Sequence, residues 1–265
     1  ILASVAAESS ANTYHVPLNP AARKQFGNAG MDGFTCCNGT AIESGTKLQD
    51  SIYFHGADHQ ALYVNLFVPS TLQWTERNVT LTQRTSYPFE DASRLVIAGS
   101  ATFDLKVRVP RWATRGFRVR VNGQPRQVNA IPGTYLCLGR DWNDKDTIEL
   151  QAPFPFHLSR VMDQPNIASL FYGPVLLAAE ESGPRSDWRP VVLDAADIAK
   201  SIAGNPQTLR FDIGGVPFLP FFEMYGRHSV YLDVRLQEAT GLRGPSSTRP
   251  SPETAFLGGP SSTRP

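Results

Sequence analysis

A series of short segments with alternating apolar and polar residues, between positions 62 and 150, determines the fold class. Each segment is rich in β-branched residues and is bounded by Pro, Gly or Asn, a pattern typical of β-strands. The predicted strands are 63–68, 79–84, 95–97, 103–109, 117–121, 135–138 and 147–150. Asn122-Gly123 accepts the positive φ angles of a type I′ turn and predicts a hairpin. Many strands at short intervals predict a mainly β chain built as jelly-roll-like β-sandwich domains.

A proline-rich segment, 152–156, follows this series and predicts a domain boundary, because proline removes donors from a sheet. The first β-sandwich domain is therefore assigned to 59–155 and a second, smaller β domain to 156–240. The second domain is predicted to contain a short helix and several strands, at 195–202, 168–178 with a break at Gly173-Pro174, 209–213, 218–225 and 230–234. The Pro/Ser/Gly-rich tail, 241–265, is too poor in apolar residues to form a core, and we predict that it is disordered.

Two adjacent cysteines, Cys36 and Cys37, are the strongest candidates for chemistry. Neighbouring cysteines rarely bond each other, so they are paired elsewhere, free or bound to a metal. Thr40 and Glu43 form a capping-box pattern, and apolar spacing predicts a helix over 40–53. The thiols would then lie just before a helix N-terminus, which favours thiolate. The alternative is that they are small buried hydrophobic residues.

The third cysteine, two histidines, the tryptophans and several acidic residues are interpreted as structural or surface residues and not as parts of a site. Cys137 alternates within a predicted strand and is expected in the core. His55 and His59 have the spacing of helical metal ligands, but Gly56 and Asp58 predict a polar loop. The tryptophans are expected in the core; they are Trp74, Trp112, Trp142 and Trp188. The acidic residues of the second domain are expected in solvent; they are Asp163, Glu180, Glu181 and Asp187.

The overall charge excludes two classes of partner. The chain has 25 basic and 24 acidic residues, a formal charge of +1, so it has no field that would recruit nucleic acid or an anionic membrane. No apolar run approaches the ~20 residues of a membrane span. The sequence indicates no compartment, whether secreted, periplasmic or cytoplasmic.

Several segments resemble, in order and spacing, the β-L-arabinofuranosidase family of glycoside hydrolases. They are 14–18, 34–44, 47–54, 62–70 and 218–228, so the resemblance covers about residues 1 to 235. It implies that 1–58 is the C-terminal remnant of a helical (α/α)6 catalytic barrel that carries the Cys-Cys motif. It also implies that the upstream half of the enzyme is missing, because residues 1–7 are similar to the end of a family helix.

The resemblance implies a specific role for each thiol. In the family, the first cysteine of the pair attacks the anomeric carbon, and both cysteines bind zinc together with an upstream Glu and Cys. Carried over, Cys36 is nucleophile and zinc ligand, and Cys37 is a zinc ligand. The other two ligands and the acid/base carboxylate are expected upstream of Ile1. Tyr14 and His15 are candidates to line the sugar pocket, or else half-buried strand residues, and Glu43 is assigned to capping.

Two functions follow. The first is a portion of a retaining glycoside hydrolase that acts on β-L-arabinofuranosides or related plant-polysaccharide sugars and is inactive without the upstream half. Its partners are the carbohydrate substrate and that missing half. The alternative is a non-catalytic β-sandwich module that binds carbohydrate or supports a neighbouring domain, with structural thiols.

Overall fold

The structure is a computed structural model that describes residues 2–9, 11–27 and 35–238. The predicted disorder of 241–265 falls outside the described residues, as does much of the segment that leads into the Cys-Cys motif. Within the described part the chain is mainly β, with a single α-helix, so the predicted mainly β fold is confirmed. No helix in this part of the chain has the length and apolar character that a bilayer span requires.

The strands fall into two groups, one on each side of the proline-rich segment. Those before it are β1 (Asn12–Thr13), β2 (Phe26–Gly27), β3 (Tyr53–His55), β4 (Ala61–Val64), β5 (Ser70–Trp74), β6 (Val79–Thr85), β7 (Ala92–Ala98), β8 (Ala101–Arg108), β9 (Arg118–Val121), β10 (Gln124–Arg126), β11 (Tyr135–Trp142) and β12 (Thr147–Gln151). Those after it are β13 (Phe156–Arg160), β14 (Ile167–Tyr172), β15 (Val175–Glu180), β16 (Arg189–Asp194), β17 (Ala203–Asn205), β18 (Arg210–Ile213), β19 (Val216–Pro220), β20 (His228–Ser229) and β21 (Leu232–Gln237).

Helical structure is confined to one α-helix and short 3₁₀ segments. The α-helix, α1, spans Cys36–Lys47. The 3₁₀ helices are Leu2–Ser4, Leu48–Ser51, Thr75–Arg77, Ile198–Ser201 and Phe221–Glu223. The helix predicted over 195–202 is therefore only one short 3₁₀ turn.

The first β domain is a sandwich of two sheets. A six-stranded sheet has the order β10-β9-β12-β7-β6-β5, and a four-stranded sheet has the order β11-β8-β4-β3. Leu81 and Leu95 of the larger sheet and Leu105 of the smaller one are fully buried in the core that the two sheets share. Trp74 and Trp142 lie in the same core, as predicted. The predicted β-sandwich is confirmed because the alternation of each strand delivers one apolar face to this core.

The strands after the proline-rich segment form a nine-stranded sheet with its own core. Its main order is β16-β21-β14-β15-β19-β18-β17, while β13 pairs with β14 and β20 with β15. Leu170, Leu177 and Phe218 are fully buried in this second core. The hairpin between β14 and β15 turns at Gly173, as predicted.

Phe154 joins the two cores. Its ring centroid lies 5.2 Å from that of Trp112 and 5.9 Å from that of Tyr87, both of which pack on the first core. On the other side it lies 5.5 Å from Tyr172, which packs on the second core. Gly173 adopts a φ of +51°, and a Cβ added there would lie 2.5 Å from Cγ of Phe154. The two cores therefore meet in a close-packed aromatic contact, and this contact requires glycine at position 173.

The N-terminal segment docks on the second sheet, far along the chain from its own position. The backbone N–H of His228 donates to the carbonyl oxygen of Ala22 at 2.9 Å, and the buried His228 ring has Nε2 3.1 Å from the carbonyl oxygen of Pro17. The N–H of Ala21 donates to Oγ of Ser229 at 3.2 Å. The chain is thus anchored to the second β domain before it reaches α1.

Glu181 stabilises the docked N-terminal segment through its contact with Ser229. Its predicted exposure to solvent is wrong. It is buried, accepts from Nε of Arg189 at 2.7 Å and accepts from Oγ of Ser229 at 2.7 Å. A buried carboxylate needs such partners to offset its desolvation. The pairing of β16 with β21 brings Arg189 to this position, which sequence spacing does not reveal.

Candidate functional site

Helix α1 begins at the cysteine pair and is capped by its own sequence. The N-cap is Thr35, whose backbone N–H donates to Oδ1 of Asn38 at 3.0 Å. The N–H of Asn38 in turn donates to the carbonyl oxygen of Thr35 at 3.1 Å. Asn38 is the one buried residue of the helix. Cys36 and Cys37 are therefore the first two residues of the helix.

The helix predicted over 40–53 is wrong at both ends. Thr40 lies inside the helix, where its hydroxyl donates to the carbonyl oxygen of Cys36 at 3.0 Å, and Glu43 forms an exposed ion pair with Lys47 at 2.5 Å. Glu43 therefore has no capping role. The helix ends at Lys47, and a 3₁₀ helix, Leu48–Ser51, leads from it to β3, which pairs with β4.

The two thiols are close together and reachable from solvent. Their Sγ atoms are 3.9 Å apart, and both cysteines are free. Cys36 is exposed and Cys37 is half-buried, so the interpretation as buried hydrophobic residues is wrong. Desolvation raises the pKa of the Cys37 thiol, and the hydrogen bond and charge of the neighbouring Cys36 thiol raise it further. The surroundings of Cys37 thus act against the thiolate, in the direction opposite to that expected from a helix N-terminus.

Alkylation of Cys37 in the metal-free folded chain should require a higher pH than alkylation of the same residue in the unfolded chain. Only the thiolate reacts, and a raised pKa means that less thiolate is present at neutral pH. Mass spectrometry of iodoacetamide-labelled Cys37 across about pH 7 to 10, with and without denaturant, measures both midpoints. A folded midpoint below the unfolded one would instead support stabilisation of the thiolate by the helix N-terminus.

The sulfur geometry fits two ligands of one zinc ion. Two thiolates about 2.3 Å from a tetrahedral zinc ion lie about 3.8 Å apart, close to the distance between Cys36 and Cys37. Among the described residues no cluster of three His, Cys, Asp or Glu side chains can hold a metal ion. The pair can therefore supply half of a four-ligand set.

Tyr14 and His15 lie in an exposed part of the chain and not in a strand. Their rings meet edge to face, with centroids 4.3 Å apart, and they line an open cavity of about 410 Å³ together with Arg23 and Gln25. The alternative of half-buried strand residues is wrong. Neither cysteine is among the described residues that line this cavity.

Cys137 differs from its prediction, whereas the polar loop predicted around His55 and His59 is confirmed. Cys137 lies in β11 as expected, but it is exposed because Leu136, its neighbour, takes the buried position. His55 is in β3 and His59 in the following turn, and their rings stack with centroids 4.7 Å apart. Sequence reasoning missed this stacking because it depends on the positive φ of His59.

Comparison with known proteins gives a family match for part of the chain. Residues 61–154 match the family model of the GH127 middle domain of β-L-arabinofuranosidases. No curated protein sequence matches the chain.

Three solved structures share the fold over 88% of this chain. A glycoside hydrolase has a TM-score of 0.66 at 19% identity, with 46% of that chain covered. Ara127N, a GH127 β-L-arabinofuranosidase from Geobacillus stearothermophilus T6, has a TM-score of 0.67 at 20% identity, with 44% covered. A GH127 β-arabinofuranosidase has a TM-score of 0.65 at 19% identity, also with 44% covered. The chain thus spans less than half the length of the structures it matches.

These findings confirm the resemblance seen in the sequence. The match to the middle domain covers the sandwich strands β4 to β12, and the structural similarity extends on both sides of them. Residues 61–154 therefore resemble the middle domain of GH127 β-L-arabinofuranosidases, and the fold shared with solved GH127 structures covers 88% of the chain.

Proposed function

We propose that this chain is a portion of a retaining glycoside hydrolase that cleaves β-L-arabinofuranosides or related plant-polysaccharide sugars, with Cys36 as nucleophile. The observation that carries the proposal is the pair of accessible thiols at the start of α1, 3.9 Å apart. Membership of residues 61–154 in a glycoside hydrolase family supports it independently.

Cys36 and Cys37 would hold a zinc ion in this enzyme, and the two remaining ligands would come from outside the described residues. When bound, zinc keeps its thiolate ligands deprotonated at neutral pH. This matters at Cys37, whose raised pKa otherwise favours the neutral thiol. Cys37, the less exposed of the two, serves as an anchor, whereas the exposed Cys36 can reach a substrate.

The proposed reaction has two displacements at one carbon. Sγ of Cys36 donates an electron pair to the anomeric carbon while the bond from that carbon to the leaving oxygen breaks. The leaving oxygen takes a proton from a carboxylic acid, which we assign to the part of the enzyme outside this chain. Water then displaces Sγ, gives its proton to the same carboxylate and releases the sugar with retained configuration.

Three features support the need for the missing half. The chain spans less than half the length of the structures it resembles. The described residues offer no third metal ligand near the thiols. Helix α1 also leaves the apolar side chain of Ile42 61% exposed. Its sequence contains two glycines and two threonines, which lower the stability of the helix on its own. We infer that the upstream half covers this helix, completes the zinc site and supplies a sugar pocket that Tyr14 and His15 would border.

A longer form of the protein, with the residues encoded upstream of Ile1 included, should release arabinose from an aryl β-L-arabinofuranoside. It should contain about one zinc ion per chain, whereas residues 1–265 alone should show neither stable zinc nor activity. Metal analysis and chromogenic assays on both forms measure this. An inactive, zinc-free longer form would instead favour the non-catalytic β-sandwich module.

A further inference from the structure

The outer face of the six-stranded sheet contains a cleft of about 830 Å³, separate from the thiols. Four arginines line it, Arg84 on β6, Arg94 on β7, and Arg118 and Arg120 on β9. We call this site the arginine cleft. All four side chains are exposed, because the alternate residues of the same strands fill the sandwich core.

Strand register sets three of these arginines in one row. Arg84 lies opposite Arg94, Arg94 lies opposite Glu149 of β12, and Glu149 lies opposite Arg120. Since neighbouring strands are about 4.8 Å apart, the row from Arg84 to Arg120 extends about 14 Å. Arg118 lies beside this row, two residues before Arg120 on β9 and opposite Gln151 of β12. Its Nη1 donates to Oε1 of Gln151 at 3.5 Å.

The charge of the arginine cleft is only partly neutralised by the protein, because two glutamates, Glu90 and Glu149, line it beside the four arginines. Within the described residues, none of its four arginines has a carboxylate within 4.0 Å, not even Glu149 between Arg94 and Arg120. Directly opposed like charges such as Arg84 and Arg94 destabilise a sheet. A chain with a net charge of only +1 therefore places four arginines and only two glutamates at one site.

We propose that the arginine cleft binds a carboxylated oligosaccharide, that is, a chain of uronic acid residues. Guanidinium groups pair with carboxylates through two parallel hydrogen bonds, and a row about 14 Å long suits repeated carboxylates better than one small anion. Thr85, Ser86 and Gln151 line the same cleft and can bond sugar hydroxyls.

The lining argues against a nucleic acid. None of the described residues that line the cleft is aromatic, whereas proteins that bind single strands stack bases on aromatic rings. The choice of a saccharide rests on the proposed function of the chain, while the choice of a polyanion rests on the arginines alone. The arginine cleft would therefore bind the acidic part of a polysaccharide, and neither thiol is among the described residues that line it.

Calorimetric titration of residues 1–265 with tetragalacturonate tests the proposal, because binding is read without any glycosidase activity. The Arg94→Gln/Arg120→Gln variant should bind about tenfold more weakly or worse. Glu149→Gln should bind about two- to fivefold more tightly, because it removes the one carboxylate of the row. Arg126→Gln is the matched control, since Arg126 lies on β10 of the same sheet, opposite the core residue Val119, and lines a different cavity.

Equal binding of the fully methyl-esterified, neutral tetramer would overturn the proposal, as would loss of binding in Arg126→Gln to the same degree. Tighter binding of oligo-dT than of the uronide would overturn the assignment to a saccharide, and so would full competition by inorganic phosphate. No binding by the wild-type chain would overturn it altogether. Circular dichroism of each variant separates loss of binding from loss of fold, and failure of the arabinofuranoside assay leaves this result unaffected.

Discussion

Alanine in place of Cys36 should abolish arabinose release by the longer enzyme, with kcat lowered about a thousandfold or more. The proposed mechanism has no other group that can form the bond to the anomeric carbon. Cys36 is the exposed member of the pair and begins the helix, so its removal leaves the cap between Thr35 and Asn38 in place. The loss should therefore be chemical, with the fold retained.

Two matched variants sharpen this prediction. Cys137→Ala removes an exposed thiol from β11, outside the candidate site, and should leave kcat unchanged. Cys37→Ala should lower both the zinc content and kcat, because it removes a ligand and not the nucleophile. Steady-state kinetics with an aryl β-L-arabinofuranoside and metal analysis of each variant measure the outcomes. Full activity of Cys36→Ala would show that the proposed mechanism is wrong.

Gly173→Ala should lower the free energy of unfolding by about 2–5 kcal/mol. Two costs add at this position. The backbone has a φ of +51°, which an alanine adopts only with strain, and the new Cβ would lie 2.5 to 2.9 Å from three atoms of Phe154. Phe154 cannot move away freely, because Trp112 and Tyr172 hold it on either side. Urea unfolding followed by tryptophan fluorescence measures the change.

Gly214→Ala separates the two costs. Gly214 has a similar φ of +61°, but a Cβ there would have no atom within 4 Å, so only the backbone cost of about 1–2 kcal/mol remains. The double variant Gly173→Ala/Phe154→Ala should also cost less than the sum of its parts, because alanine lacks Cγ and Cδ1, the two atoms of Phe154 that the new Cβ would approach most closely. Equal destabilisation by Gly173→Ala and Gly214→Ala would refute the steric part of the argument.

The extent to which sequence predicts this fold depends on how local each signal is. The strands β6, β7, β8 and β12 follow from alternation within a few residues, and the turn at Gly173 from its own dipeptide. Tyr53–His55 is a strand through its pairing with β4, whereas the local pattern places Tyr53 at the end of the predicted helix. The start of α1 was misplaced because Asn38, and not Glu43, reaches back to the cap.

The candidate site also combines features that local sequence reveals with features that depend on tertiary contacts. The Cys36-Cys37 pair can be recognised in the sequence because its two members are adjacent. Its role as a zinc-bound nucleophile stays a prediction. The sequence by itself determined the mainly β class, the sandwich strands and the resemblance to a glycoside hydrolase family, since these depend on periodicity and on short motifs. Only the tertiary structure decided that the N-terminal segment docks on His228, that Glu181 is buried, and that Arg84, Arg94 and Arg120 share a row. These contacts join residues far apart in the chain, and strand pairing, which no local pattern encodes, brings them together.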